Sequence, residues 1–216
     1  MQSESEKSGV ALLNDLLIDA GIGPLSEDSI NKFEAYLSLF VRWNARTNLS
    51  SVREPGEIVS RHFVESIFCA RSISQSVSTL LDFGSGGGLP GVPIAICRDN
   101  INVTLAESQG KKSAFLLEAA RSLGLNIRVY AGRAELLQEQ FDCVTLRAVD
   151  RMSDAVRTAS RLVNHGGWLA LMTTNRDVAA LKQAAGDEFD WQKDLFLPQS
   201  HERVLAMGVK QASLPA

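Results

Sequence analysis

Residues 80–91 read LLDFGSGGGLPG, an apolar run closed by Asp82 and Phe83 and followed by glycine at 84, 86, 87, 88 and 91. Leu80 and Leu81 suit the end of a buried strand. Glycine carries no Cβ, so the backbone can turn where a side chain would clash. The spacing predicts a strand, a tight glycine loop and a helix. In an open α/β sheet that is where a nucleotide-like ligand binds.

Downstream, strand and helix patterns alternate. Asn102 to Ala106 and Ile127 to Tyr130 read as strands. Between them, Lys111 to Leu123 reads as a helix with Phe115, Leu116, Ala119 and Leu123 on one face and Gly124 as its stop. A strand at Phe141 to Leu146 and a helix at Ser153 to Val163 follow. Gly166-Gly167 is expected to turn the chain into a strand at Trp168 to Met172, and Asn175 to Gly186 is expected to be helical. Two last strands, around Trp191 to Leu197 and Arg203 to Val209, are joined by Pro198 to Glu202. That link is too short for a crossover helix and predicts an antiparallel pair. The alternation implies a mostly parallel sheet covered on both faces.

Upstream, residues 1–9 are polar and expected to form a disordered tail. Residues 10–75 read as a helical segment packed on the main domain, residues 76–216. Leu12, Leu13, Leu16 and Leu17 mark a short amphipathic helix. Ser26 can cap a longer one with Ile30, Phe33, Leu37, Phe40 and Val41 on its apolar face. A third is expected from Pro55 past Phe68. The 216 residues suffice for one α/β domain and a helical appendage. No signal-peptide pattern or run of roughly 18 apolar residues occurs, so a cytoplasmic protein with no membrane contact is expected. Cys69, Cys97 and Cys143 are scattered and odd in number. They support neither a disulfide framework nor a metal site and read as small buried residues. A net charge of −3 argues against a general nucleic-acid binder but leaves room for a local basic face.

Two frames compete for the loop. Gly86, Gly88 and Gly91 form a literal dinucleotide fingerprint, G-x-G-x-x-G. Asp82, Gly84, Gly86 and Gly88 form D-x-G-x-G-x-G, which resembles the S-adenosylmethionine loop. Glu107 closes the second strand, where an acid accepts hydrogen bonds from ribose hydroxyls in either case. The antiparallel end of the series is similar to the seven-stranded sheet of class I methyltransferases, a Rossmann-like fold.

DFGSGGGLPGVPIAI, VTLAESQGKKSAFL, GRAELL and FDCVTLRAV together resemble the small-subunit (16S) ribosomal RNA guanine-N7 methyltransferases, the RsmG or glucose-inhibited division protein B family. WNARTNLSSVREPGEIVSRHFVES is similar to that family's leading helices. The resemblance implies S-adenosylmethionine as cofactor and methylation of a guanine N7 at nucleotide 527. It implies 16S rRNA as partner; the modest total of positive charge points to RNA already shaped within a small-subunit particle, and a monomer without a stable protein partner is expected. It places Gly84, Gly86, Gly88 and Leu89 against the cofactor, Glu107 on the ribose, Ala134 and Glu135 beside the adenine, and Arg147 at the cofactor or substrate. Three positions depart from the family pattern. Leu146 stands where serine is usual, Glu65 replaces the aspartate of H-x-x-D-S, and Met172-Thr173-Thr174 lacks the usual Lys-Gly.

Guanine N7 already holds a lone pair and loses no proton, so no general base is required and catalysis can rest on alignment. No catalytic residue is therefore assigned. His62 is read as structural, and Arg147 as a ligand or else as an ion-pair partner of Asp142 or Asp150. Arg42, Arg46, Arg53, Arg61, Lys111, Lys112 and Arg133 are the candidate RNA contacts, since phosphate binding needs positive charge. A decayed methyltransferase fold that only binds RNA or a partner, and a nicotinamide-dependent oxidoreductase, remain as alternatives.

Overall fold

The computed structural model describes residues 9–212. The tail expected over residues 1–9 lies outside the described residues except for Gly9, which opens a 3-10 turn, Gly9–Leu12. Helix α1 (Leu13–Asp19) follows, then α2 (Glu27–Thr47). Ser26 caps α2 as expected, its Oγ accepting from the Ser29 N–H at 3.2 Å. The buried face of α2 includes Phe33, Leu37 and Phe40, and also Tyr36, which lies at the centre of an aromatic cluster with Phe40, Phe63 and Phe115. The Tyr36 hydroxyl donates to the Gly87 carbonyl, tying this helix to the glycine loop.

The third helical run is continuous but not uniform. Helix α3 (Pro55–Glu57) passes through a π turn, Ile58–Phe63, into α4 (Val64–Ser72). Ser66 Oγ, in the first turn of α4, donates back to the His62 carbonyl of this irregular stretch at 2.7 Å. π turns concentrate at functional sites, and this one carries His62.

The sheet comprises β1 (Thr79–Phe83), β2 (Asn102–Ala106), β3 (Ile127–Tyr130), β4 (Phe141–Arg147), β5 (Val163–Thr174), β6 (Phe189–Trp191), β7 (Leu195–Phe196) and β8 (Arg203–Lys210). Helices α5 (Gly91–Cys97), α6 (Gly110–Ser122), α7 (Met152–Ala159) and α8 (Val178–Ala185) connect the strands. The order is β3-β2-β1-β4-β5-β8-β6, with β7 also paired to β8. Strands β1 to β5 pair in parallel, and β8 enters antiparallel between β5 and the β6/β7 edge.

Several boundaries differ from expectation, and three have a clear physical reason; the helix expected from Asn175 starts only at Val178. The single strand expected near Trp191 to Leu197 is two pieces. Phe189 to Trp191 and Leu195 to Phe196 pair with β8 in registers one residue apart, which is a bulge. The helix expected to Val163 stops at Ala159 and tightens into a 3-10 turn. Gly166-Gly167 lies inside β5, because the strand already starts at Val163 and slips register against β4 between Phe141 and Cys143. At Gly167 a Cβ would come within 2.9 Å of the Asp142 carbonyl, so only glycine allows this close approach.

Strand alternation sends neighbouring residues into different cores. Leu80, Val103, Leu105, Cys143 and Ala170 face a layer built from α1, α2, α4, α5 and α6. Leu81, Phe83, Val144, Leu146 and Leu169 face the layer of α7 and α8. The N-terminal helices thus share one core with α5 and α6. Cys69 and Cys143 are fully buried and Cys97 partly so.

Candidate functional site

Strand order reverses at β1, since β2 and β3 lie on one side of it and β4 and β5 on the other. A cavity of about 800 Å³ opens over the carboxyl ends of these strands. This is the switch-point position expected for a ligand in an open α/β sheet.

Asp82 organises the loop without lining the cavity. Its carboxylate accepts from Thr145 Oγ1 at 2.9 Å and from the Gly91 N–H at 3.2 Å, and is buried. A Cβ on Gly91 would lie 2.8 Å from that carboxylate, so the glycine is needed for the contact. The consequence for the helix is decisive. The Gly91 N–H is taken by Asp82, the Val92 N–H by the Gly88 carbonyl at 2.8 Å, and Pro93 has none. The amino end of α5 therefore offers no free donors to a pyrophosphate, which is what a dinucleotide would need there.

Burial pushes the Asp82 carboxyl up to about 6, against the lowering effect of its hydrogen bonds and of Arg147. The folded protein thus holds a proton that the unfolded chain has released. Stability from this group falls as pH rises from about 4 to about 6, by roughly 3 kcal/mol. Asp82→Asn should remove that fall, because Asn can accept from Gly91 while donating to the rotatable Thr145 hydroxyl. Urea unfolding of both proteins across this range should show the variant gaining on the wild type with pH. A constant difference would contradict the assignment. His62 contributes a slope of opposite sign, since burial and Arg147 press its pKa down to about 3, but it is present in both proteins and cancels.

The glycines divide by role. Gly84 and Gly86, at φ +71° and +55°, line the cavity. A Cβ on Gly86 would meet nothing nearer than the Gly84 carbonyl at 3.9 Å, so its bare backbone borders open space. Gly88 does not line the cavity. Its Cβ would strike Val92 at 2.7 Å and the Tyr36 hydroxyl at 3.0 Å, so it serves packing between loop, α2 and α5. Leu89, joined to Pro90 by a cis bond, lines the cavity.

Glu107 is buried at the end of β2. Its Oε2 accepts from the Gly86 N–H at 2.9 Å and its Oε1 from the Gln109 N–H at 2.7 Å. Each oxygen retains further acceptor capacity. The acid therefore steadies the loop and also faces the cavity, together with Ala134 and Glu135.

Arg147 closes β4. It pairs not with Asp142 or Asp150 but with Glu65, 2.7 Å from its Nη2. Asp142 is instead held at the opposite end of the strand by Ser78, Thr79 and Asn164. The second oxygen of Glu65 accepts from Arg203 Nε at 2.6 Å, and Glu65 is fully buried between the two arginines. Arg147 Nη2 also lies 2.9 Å from His62 Nδ1. A guanidinium only donates, so Nδ1 is the acceptor and the proton sits on Nε2, donated to Ser50 Oγ at 2.8 Å. His62 is thus neutral, structural in its bonding and yet part of the cavity wall. Glu65 and Arg203 are missed by sequence reasoning as site residues. They lie 138 positions apart, with no local pattern joining them.

Of the candidate RNA contacts, Arg61, Lys112 and Arg133 line the cavity. The other four do not. Arg42 pairs with Glu118 on α6 at 2.7 Å, and Arg53 braces the end of α2 through the Asn44 carbonyl and Asn48. Arg46 and Lys111 are exposed outside the cavity lining. Arg151, not singled out from sequence, joins the rim at φ +49°. Among the described residues no cluster of three potential metal ligands occurs.

The profile of the rRNA small subunit methyltransferase G family, GidB, matches residues 29–206. The chain belongs to this family. It is 43% identical over 152 residues to a ribosomal RNA small subunit methyltransferase G of Xanthomonas euvesicatoria, covering 68% of this chain and 71% of that one. It is 38% identical over 156 residues to the protein of that name from Neisseria gonorrhoeae, covering 71% and 75%. Among solved structures, an O-methyltransferase from Bacillus cereus in complex with SAH superposes with TM-score 0.60 at 16% identity, covering 92% of this chain and 97% of that one. A putative O-methyltransferase from Klebsiella pneumoniae gives 0.63 at 15%, covering 93% and 96%. These two likenesses establish the class I methyltransferase fold. Family membership makes the chain a methyltransferase of small-subunit rRNA.

Proposed function

We propose that the cavity binds S-adenosylmethionine along β2, β1 and β4 and presents it to one guanine of 16S rRNA, methylated at N7 of nucleotide 527. The observation that carries the donor assignment is the closed amino end of α5, which suits a ligand without pyrophosphate. When bound, that donor supplies an electrophilic methyl group on a sulfonium. Glu107 would take the ribose hydroxyls, Ala134 and Glu135 would flank the base, and Gly84, Gly86 and Leu89 would border the amino-acid portion. Arg147 would face the donor's carboxylate or the acceptor, and its orientation is fixed by Glu65, His62 and Ser66.

The residues of the chain need only hold and align, since N7 attacks with its own lone pair. Neutral His62 has its Nδ1 occupied by Arg147 and its Nε2 proton committed to Ser50, so it has no proton-transfer duty to perform. The acceptor is read as RNA already shaped within a small-subunit particle. The cavity wall carries six cations, Arg61, Lys112, Arg133, Arg147, Arg151 and Arg203, and five acids, Glu65, Glu107, Glu135, Asp150 and Asp177. So balanced a wall gives little general affinity for free nucleic acid. The protein is proposed to act in the cytoplasm as a monomer, with residues 10–75 forming the acceptor-side wall. Among the described residues no helix is long and apolar enough to cross a membrane.

The test is transfer of tritium from labelled donor into 16S rRNA, offered as particle and as protein-free RNA, with the modified base mapped. Label at one guanine N7, and more of it in the particle, is expected. Donor binding without transfer would point to a decayed enzyme, and binding of NAD alone would overturn the donor assignment.

A further inference from the structure

The Glu65 cluster has a donor to spare. Arg203 Nε is committed to the buried Glu65 carboxylate, but its two terminal amino groups have no acceptor among the described residues. Its side chain is 30% exposed and lines the cavity. A guanidinium anchored at Nε loses little further freedom on binding, and its free edge matches two oxygens of a phosphate.

Strand order says which side of the cavity this edge serves. Glu107 ends β2, the glycine loop ends β1 and Arg147 ends β4. Arg203 opens β8, beyond β5 and opposite Thr174. The β5 residues on the cavity, Met172, Thr173 and Thr174, carry no charge, so the cations at this end come from Arg203 of β8 and from Arg151 just before α7, and of these Arg203 is the one pinned by a buried carboxylate. A donor spanning β2 to β4 leaves the β5–β8 end for the acceptor.

We infer that Glu65 is a positioning residue that pins Arg203 so that its free terminal N–H groups hold a backbone phosphate of the RNA beside the acceptor guanine. This rests on the methyltransferase reading above. Phosphate, rather than the guanine O6, follows from the chemistry. A cation bonded to O6 would draw electron density from the adjacent N7, whose lone pair must attack and whose ring becomes positive. A phosphate contact adds affinity without that cost.

The test uses the full chain with small-subunit particles lacking the modification, and measures kcat, KM and donor affinity against salt concentration. Arg203→Gln is expected to raise KM about tenfold and lower kcat less than threefold. It should leave donor affinity unchanged and reduce the slope of log(kcat/KM) against log salt by about 0.7–0.9, the loss of one phosphate contact. Arg203→Lys keeps the charge but not the fork, so it should restore the slope while KM stays raised. Glu65→Asp should act in the direction of Arg203→Gln more weakly. In Arg203→Gln, a fall in kcat with an unchanged slope, or a loss of donor affinity, would overturn the inference; Glu65→Asp also loosens Arg147, so only its salt slope is compared. Wild-type transfer into the particle tests the methyltransferase reading independently of either variant.

Discussion

Glu65→Ala is expected to destabilise the protein by about 3–5 kcal/mol, the usual consequence of removing one partner from a buried ion pair. Glu65 is fully buried and Arg147 is 12% exposed, so the Arg147 guanidinium does not regain full hydration when the carboxylate goes. The damage also spreads. Arg147 at the end of β4 is bonded to His62 and Ser66 of the N-terminal helices, and Arg203 opens β8, so the Glu65 carboxylate joins three separate parts of the chain. Urea unfolding should show the full loss in Glu65→Ala and a smaller one in Glu65→Asp. A loss under about 1 kcal/mol in the alanine variant would mean that water solvates the arginines and that the cluster is a surface pair in energetic terms.

Gly84→Val is expected to weaken binding of S-adenosylmethionine or its demethylated product at least about 100-fold, roughly 2.7 kcal/mol. Two effects combine. The residue sits at φ +71°, where a β-branched side chain costs about 1–3 kcal/mol. Its first carbon would also lie 3.1 Å from Val149 Cγ2, forcing apart the loops that follow β1 and β4 on either side of the cavity. Calorimetric titration of the folded variant measures the effect, with Gly86→Ala as comparison. A Cβ at Gly86 meets no packing atom, so that variant should lose affinity at a smaller cost in stability. Wild-type affinity in Gly84→Val would displace the proposed donor site from the loop.

Much of this was legible in the chain. Asn102 to Ala106 and Ile127 to Tyr130 are strands with the expected ends, because both are short segments rich in β-branched and aromatic residues that suit a pleated surface. The antiparallel finish followed from the length of one link. The boundaries that moved lie at Gly166-Gly167, where β5 slips register against β4, and at Lys193, where a bulge absorbs an extra residue, and both depend on the facing strand.

The loop itself divides the same way. Four closely spaced glycines announced backbone freedom, and that much is local chemistry: positive φ at 84, 86 and 88 is a property of the residue type. Which of them faces a ligand is not local. Gly88 turns toward Tyr36 and Val92 while Gly86 borders the cavity, and only the packing of α2 and α5 on the loop separates them. The sequence by itself determined the α/β class, the switch-point loop, the acid at the end of β2 and the family. The tertiary structure alone decided that Asp82 closes the amino end of α5, that Arg147 answers to Glu65, and that Arg203 reaches the same carboxylate. The physical reason is that periodicity reports which face of an element is buried, whereas a buried charge finds its partners across the fold, among groups that no spacing in the chain relates.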